Sequence, residues 1–203
     1  ERTIDIDYDK LMKVHEKLGD IIDKGKEVKI TTEIGTNLIF GIEGRKAFGR
    51  DSGLFTKKGS FGNLPTGEIF VAPIEGTADG TYIVDASFAG IGKLKSPIKI
   101  YVKNGYAVKI DGERADVLTE LLDSAGKEAR NIAEFGIGTN ENAKITGNIL
   151  EDEKVIGTCH IALGNNVGFG GKTSIQLHLD GIIKNPTIFV DENKILDKGK
   201  FLF

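Results

Sequence analysis

Two of the three histidines lie in segments whose alternation reads as β-strand. In Gln176-Leu177-His178-Leu179-Asp180 the two leucines share one face, while Gln176, His178 and Asp180 share the other. His178 and Asp180 are then about 6.6 Å apart between Cα atoms. From that spacing an imidazole and a carboxylate can converge on one metal ion at about 2.0–2.2 Å from each donor. The alternative is a polar pair on a solvated strand face. His160 lies in a second such segment, Gly157-Thr158-Cys159-His160-Ile161-Ala162-Leu163. Its neighbour Cys159 faces the opposite way, which argues against a Cys–His nucleophile pair and makes Cys159 a small core residue. A single strand histidine can equally be structural. Two strands that each turn a histidine toward a polar face, beside glycine turns, strengthen the metal reading.

Carboxylates complete the candidate set. Glu68 follows Pro65-Thr66-Gly67 and opens the apolar run Ile69–Ala72. Glu134 is expected at the end of a helix, where the dipole disfavours an acid by about 0.3–1 kcal/mol. A cation nearby, or Arg130 one turn back, would offset that cost. Glu151, Asp152 and Glu153 are expected to form a solvated acidic turn, with Lys154 able to pair with one of them. The segment Asn166–Thr173 ends in Gly-Lys-Thr like a phosphate loop, but Asn166 stands where the first glycine is required. The following SIQLHLDG alternates as a strand, so no helix N-terminus would meet a phosphate. A flexible loop beside a site is the expectation there. No GxSxG turn supports a Ser-His-Asp triad.

The elements that must position these groups are legible from periodicity. Residues 7–24 place Tyr8, Leu11, Val14, Leu18, Ile21 and Ile22 on one helical face, with His15 one position beyond it and Gly25 as a stop. A second helix is expected over 112–133, weakened at Gly126. Strands are expected in EVKITTEIG, NLIFGIEG, EIFVAPIEG, GTYIVDASFAG, KSPIKIYVK and YAVKIDG, and a loop over 51–67. After the second helix come EFGIGTN, VIGTCHIALG, SIQLHLDGII and PTIFVD. Asn104-Gly105 between two alternating runs predicts a type I′ hairpin. Short hairpin links with only two principal helices give an α+β fold with a mainly antiparallel or mixed sheet, a barrel-like curl being one option. A doubly wound parallel sheet would need a helix after nearly every strand.

The chain has 203 residues, enough for one generous domain or two small ones at about 100–200 residues each. Glycine numbers 27 and proline 4, a balance that suits tight turns between strands rather than disorder. With 27 Lys and Arg against 30 Asp and Glu, the net charge of −3 excludes a strongly basic nucleic-acid or acidic-membrane binder. No apolar run approaches the roughly 18–20 residues of a spanning helix. One cysteine makes an internal disulfide impossible and fits a reducing, cytoplasmic setting. The first residue is Glu, and no signal-like segment follows, which reads as a piece of something longer.

Four segments in order carry a family resemblance: Asn63–Glu68, Glu134–Asn140, the run from Glu151–Lys154 to Gly157–Gly164, and His178-Leu179-Asp180. From about residue 60 to 200 the chain resembles the catalytic part of the aminopeptidase T family of thermophilic metallopeptidases. The resemblance implies residues 1–60 as a remnant or linker of a preceding domain and 61–203 as the metal-binding catalytic domain. It implies two divalent cations (zinc, cobalt or manganese) held by Glu68, Glu134, His160, His178 and Asp180. Glu134 or Glu68 would then be the general base, a peptide the substrate, and a homodimer the assembly. Three carboxylates and two imidazoles suit such a cation pair. The family's tyrosine shortly after the first ligand histidine is missing, with Asn165, Asn166 and Val167 there instead. A related group, the ring-opening dihydroxypyridine dioxygenases, holds one Fe(II) by two His and one Asp, and His178-Leu179-Asp180 would serve that triad too. A binding domain that kept the scaffold without catalysis is the third expectation.

Overall fold

The computed structural model describes residues 2–50 and 53–203. Helix α1 (Tyr8–Lys24) is capped by Asp7, whose carboxylate accepts from Lys10 N, and it buries Leu11, His15, Leu18, Gly19 and Ile22. His15 therefore belongs to the buried face, with Nε2 2.7 Å from Thr139 Oγ1. Strands β1 (Glu27–Thr31), β2 (Asn37–Gly41), β3 (Glu68–Val71) and β4 (Asp79–Val84) follow. The expected loop over 51–67 carries no helix or strand from residue 53 onward; its first two residues lie outside the described ones.

Next come β5 (Ser87–Phe88), β6 (Gly92–Lys93), β7 (Ile98–Lys103) and β8 (Tyr106–Gly112). Asn104 and Gly105 both have positive φ, 50° and 80°, as the predicted type I′ turn requires, and Lys103 pairs with Tyr106 across it. Helix α2 (Ala115–Ala125) is shorter than the expected 112–133. Gly126, at φ 99°, ends it, and a single 3₁₀ turn leads to β9 (Ile132–Gly138), so Glu134 sits inside a strand rather than at a helix end. Arg130 pairs with Asp123, not with Glu134.

The chain finishes with a one-turn helix α3 (Ile149–Asp152) and strands β10 (Cys159–Gly164), β11 (His178–Ile183), β12 (Thr187–Val190), β13 (Asn193–Asp197) and β14 (Lys200–Phe201). The last two strands were not expected from their weak alternation. Two sheets result, in orders β14-β13-β12-β1-β2-β4-β7-β8 and β3-β9-β10-β11-β5-β6. Every strand pairing within them is antiparallel, and neither closes into a barrel among the described residues. This is the expected α+β class with two principal helices. The strands divide between two faces that share one apolar cluster instead of curling round it: Phe40 of β2 meets Phe135 of β9 at 5.4 Å between ring centroids. Among the described residues no helix is long and apolar enough to cross a membrane.

Candidate metal centre

Alternation along four neighbouring strands assembles the site. On β9, Phe135 and Ile137 enter the core, which leaves Glu134, Gly136 and Gly138 on the other face. Register then aligns partners on that face: Glu68 with Gly138, His160 with Gly136, and Ala162 with both Glu134 and Asp180. Cys159, Ile161 and Leu163 of β10 point into the core, as their spacing predicts, and burial pushes the Cys159 thiol up. The two glycines make room. A Cβ on Gly136 would lie 2.1 Å from His160 Nε2, and one on Gly138 would lie 2.0 Å from Val155 O.

The five side chains singled out in the sequence meet on this face. His160 Nε2 lies 3.3 Å from Glu68 Oε2 and 3.2 Å from Glu134 Oε1. His178 Nε2 lies 3.5 Å from Glu134 Oε2 and 3.5 Å from Asp180 Oδ1. Donors each about 2.1 Å from one cation, at octahedral or tetrahedral angles, stand about 3.0–3.4 Å apart, so these spacings are close to those of a ligand set. Glu68 Oε2, His160 Nδ1 and Asp180 Oδ1 are buried without a hydrogen-bond partner among the described residues. Such atoms are costly to leave unmatched, and a cation would satisfy the two carboxylate oxygens.

Glu153 and Lys154 join the cluster, contrary to the expectation of a solvated turn. Glu153 is 8% exposed and Lys154 1%, and Asp152 is fully buried, accepting from Ser87 Oγ at 2.6 Å. Lys154 Nζ donates to Glu68 Oε1 at 2.7 Å and also to Glu153 Oε1. The turn folds inward because its backbone packs over Gly138, a constraint that no local charge pattern reveals.

Electrostatics follow from burial and crowding. Desolvation, with Asp180 and Glu68 nearby, pushes the Glu134 carboxyl above its usual range. Burial and the neighbouring Glu68 raise the Glu153 carboxyl to about 7. Burial would lower both imidazoles. The hydrogen bond to Glu134 and the charges of Glu68 and Asp180 outweigh it for His160, and Asp180 and Glu134 do so for His178, so each rises to about 9. The Asp180 carboxyl is held low despite burial by His178 and His160. His178 Nδ1 donates to the Asn165 carbonyl at 2.8 Å, which fixes the ring and aims Nε2 at the carboxylates.

A cleft of about 290 Å³ opens over this cluster, walled by Phe70, Phe169 and Leu150. Phe169 stands edge-on to His178 at 5.8 Å and to Phe70 at 5.5 Å. The glycine-rich segment is therefore a wall of the cleft. It is tied down: Asn166 Nδ2 and Lys172 N both donate to Glu75 Oε1, at 2.9 and 2.7 Å.

Imidazoles and carboxylates gathered on one sheet face, with a cleft above them, are the arrangement by which a metalloenzyme holds a divalent cation. The chain belongs to the NicX family, 2,5-dihydroxypyridine 5,6-dioxygenase, whose model matches residues 8–203. It is 24% identical over 166 residues to the 2,5-dihydroxypyridine 5,6-dioxygenase of Pseudomonas putida KT2440, covering 72% of this chain and 46% of that protein. The structure of the 2,5-dihydroxypyridine dioxygenase from P. putida KT2440 superposes with a TM-score of 0.88 at 20% identity, over 99% of this chain and 61% of that one. Wild-type AmpT from Thermus thermophilus superposes with a TM-score of 0.77 at 21% identity, over 97% and 55%. The chain thus spans about half the length of the curated relative it matches.

The family match corrects the expectation of an aminopeptidase, a protease-type hydrolase acting on peptides. The likeness to AmpT is one of fold. The segments that suggested a peptidase are those that build the common sheet face, so they report the scaffold and its donors, not the reaction. Asn165, Asn166 and Val167, standing where the peptidases carry a tyrosine, were the one local departure; here that stretch supplies the carbonyl that orients His178.

Proposed function

We propose that this chain carries the iron site of a ring-cleaving dioxygenase acting on a dihydroxypyridine-type ring. The family match over residues 8–203 carries this reading, and the donor set supports it. His160, His178 and Asp180 supply two imidazoles and one carboxylate, the combination that suits non-haem Fe(II) with open positions. Bound Fe(II) would supply the activation of dioxygen toward an electron-rich ring.

The chain's own groups do the rest. Phe70 and Phe169 offer flat apolar walls that sandwich or edge a planar ring and exclude water beside His178. Asn165 holds His178 in the tautomer whose Nε2 faces the cleft. Glu134, its carboxyl raised by burial, is the group placed to take a proton from a ring hydroxyl at Oε2. Glu68 is engaged by Lys154 and is the weaker candidate for that task.

Oxygen-electrode assays on the chain loaded anaerobically with Fe(II) test the reading. Dioxygen uptake on adding 2,5-dihydroxypyridine, with loss of the aromatic absorbance, is expected. Iron-loaded protein that consumes no dioxygen with this ring would overturn it.

A further inference from the structure

The cluster contains not one but two groups of potential ligand atoms, each within 4.8 Å of one another: Glu68, Glu153 and His160, and Glu134, His178 and Asp180. The His160–Glu134 contact at 3.2 Å joins them. Two adjacent cation positions are therefore built into the sheet face, and they differ in one respect.

The first group already surrounds a positive charge. Lys154 Nζ donates to Glu68 Oε1 at 2.7 Å and to Glu153 Oε1, from a side chain only 2% exposed. The lysine is fixed by its backbone as well as by its ammonium. Its N–H donates to Glu151 O at 3.0 Å, and its carbonyl accepts from Asn140 N at 2.8 Å. The next peptide lies so close to Gly138 that any Cβ there would collide with it. Withdrawing the ammonium would take from the buried Glu153 its ion partner among the described residues and leave Glu68 with His160 alone. In the second group, by contrast, the ion pairs of Glu134, His178 and Asp180 among the described residues are with each other and with His160. Among the described residues no ammonium or guanidinium pairs there.

We propose that the Lys154 ammonium is a built-in cation filling the position between Glu68 and Glu153, so that the chain takes a single metal ion, at His160, His178 and Asp180 beside Glu134. Lys154 is then a specificity-determining residue for metal number. It satisfies the donors that a second ion would need, and its charge repels a dication from them. This rests on the reading that the cleft holds a metal, and metal counting separates the two: zero ions on the wild-type chain defeats that reading, whereas two ions defeat this inference alone.

Anaerobic Fe(II) binding and Mn(II) electron paramagnetic resonance on the whole chain provide the test. Wild type is expected to bind one ion and to give the spectrum of an isolated Mn(II). Lys154→Ala is expected to bind two, with the signal of an exchange-coupled pair. His178→Ala is expected to lose the wild-type ion. A coupled pair in the wild type would overturn the proposal, as would a folded Lys154→Ala that still binds only one ion. If Lys154→Ala fails to fold, the wild-type spectrum decides by itself.

Discussion

At the scale of single residues, the site depends as much on missing side chains as on those present. His160 can occupy the centre of the sheet only because its cross-strand partner Gly136 has no Cβ to meet the ring 2.1 Å away. Gly136→Ala should therefore displace the imidazole, cost about 1–3 kcal/mol of stability as an overpacked core does, and weaken Fe(II) binding. Thermal unfolding and metal titration of that variant check this; unchanged affinity would mean that His160 is not where metal binding needs it. His160, His178 and Asp180 were legible because strand alternation fixes which residues share a face, whereas Glu68 and Glu134 entered the ligand set through the family resemblance, Glu134 from an expected helix end that is in fact strand. Glu153 and Lys154 were not legible. Their burial comes from the turn packing over Gly138, and an acidic turn next to a lysine has the same sequence whether it faces water or a cleft.

At the scale of elements, the wall of the cleft is held by one carboxylate. Glu75 receives Asn166 Nδ2 and Lys172 N and pairs with Arg45, which keeps Phe169 against His178. Burial works against its ionisation, but these hydrogen bonds and the Arg45 charge hold the Glu75 carboxyl below its usual range. A folded-state pKa below the unfolded one means stability that is present above the ordinary glutamate value and lost as pH falls through the lowered one. Glu75→Gln should therefore lower the melting temperature at neutral pH by an amount corresponding to about 1–2 kcal/mol, the scale of charge-assisted bonds. The gap to wild type should shrink below about pH 4, near the unperturbed glutamate value. Melting curves across that range check it, and a gap that widens in acid would contradict it. Elements were readable where periodicity was sustained, as in α1 and the β7–β8 hairpin. The helix expected over 112–133 failed because helical spacing of Leu118, Leu121 and Leu122 runs on without a gap into Ile132, while Gly126 at positive φ breaks the chain between them.

At the scale of the whole molecule, the two sheets are bonded through a shared apolar cluster, with Phe135 on the reverse of the strand that carries Glu134. Phe135→Ala should cost about 3–5 kcal/mol and loosen the metal site from behind, read as a joint loss of unfolding free energy and Fe(II) affinity. Stability lost with affinity retained would show that core and site are independent. The fold class was legible from short links and few helices, but the reaction was not, since AmpT and the dioxygenase share this fold across different chemistries. In this chain Lys154 and the phenylalanine walls of the cleft are the groups proposed to govern ion number and the shape of substrate admitted.

The most direct test follows labelled dioxygen. The Fe(II)-loaded chain, given 2,5-dihydroxypyridine under ¹⁸O₂, should yield a ring-opened product carrying both labelled atoms, and His178→Ala should yield none. A product whose new oxygens come from water, or a chain that releases amino acids from peptides while leaving the ring intact, would contradict the assignment.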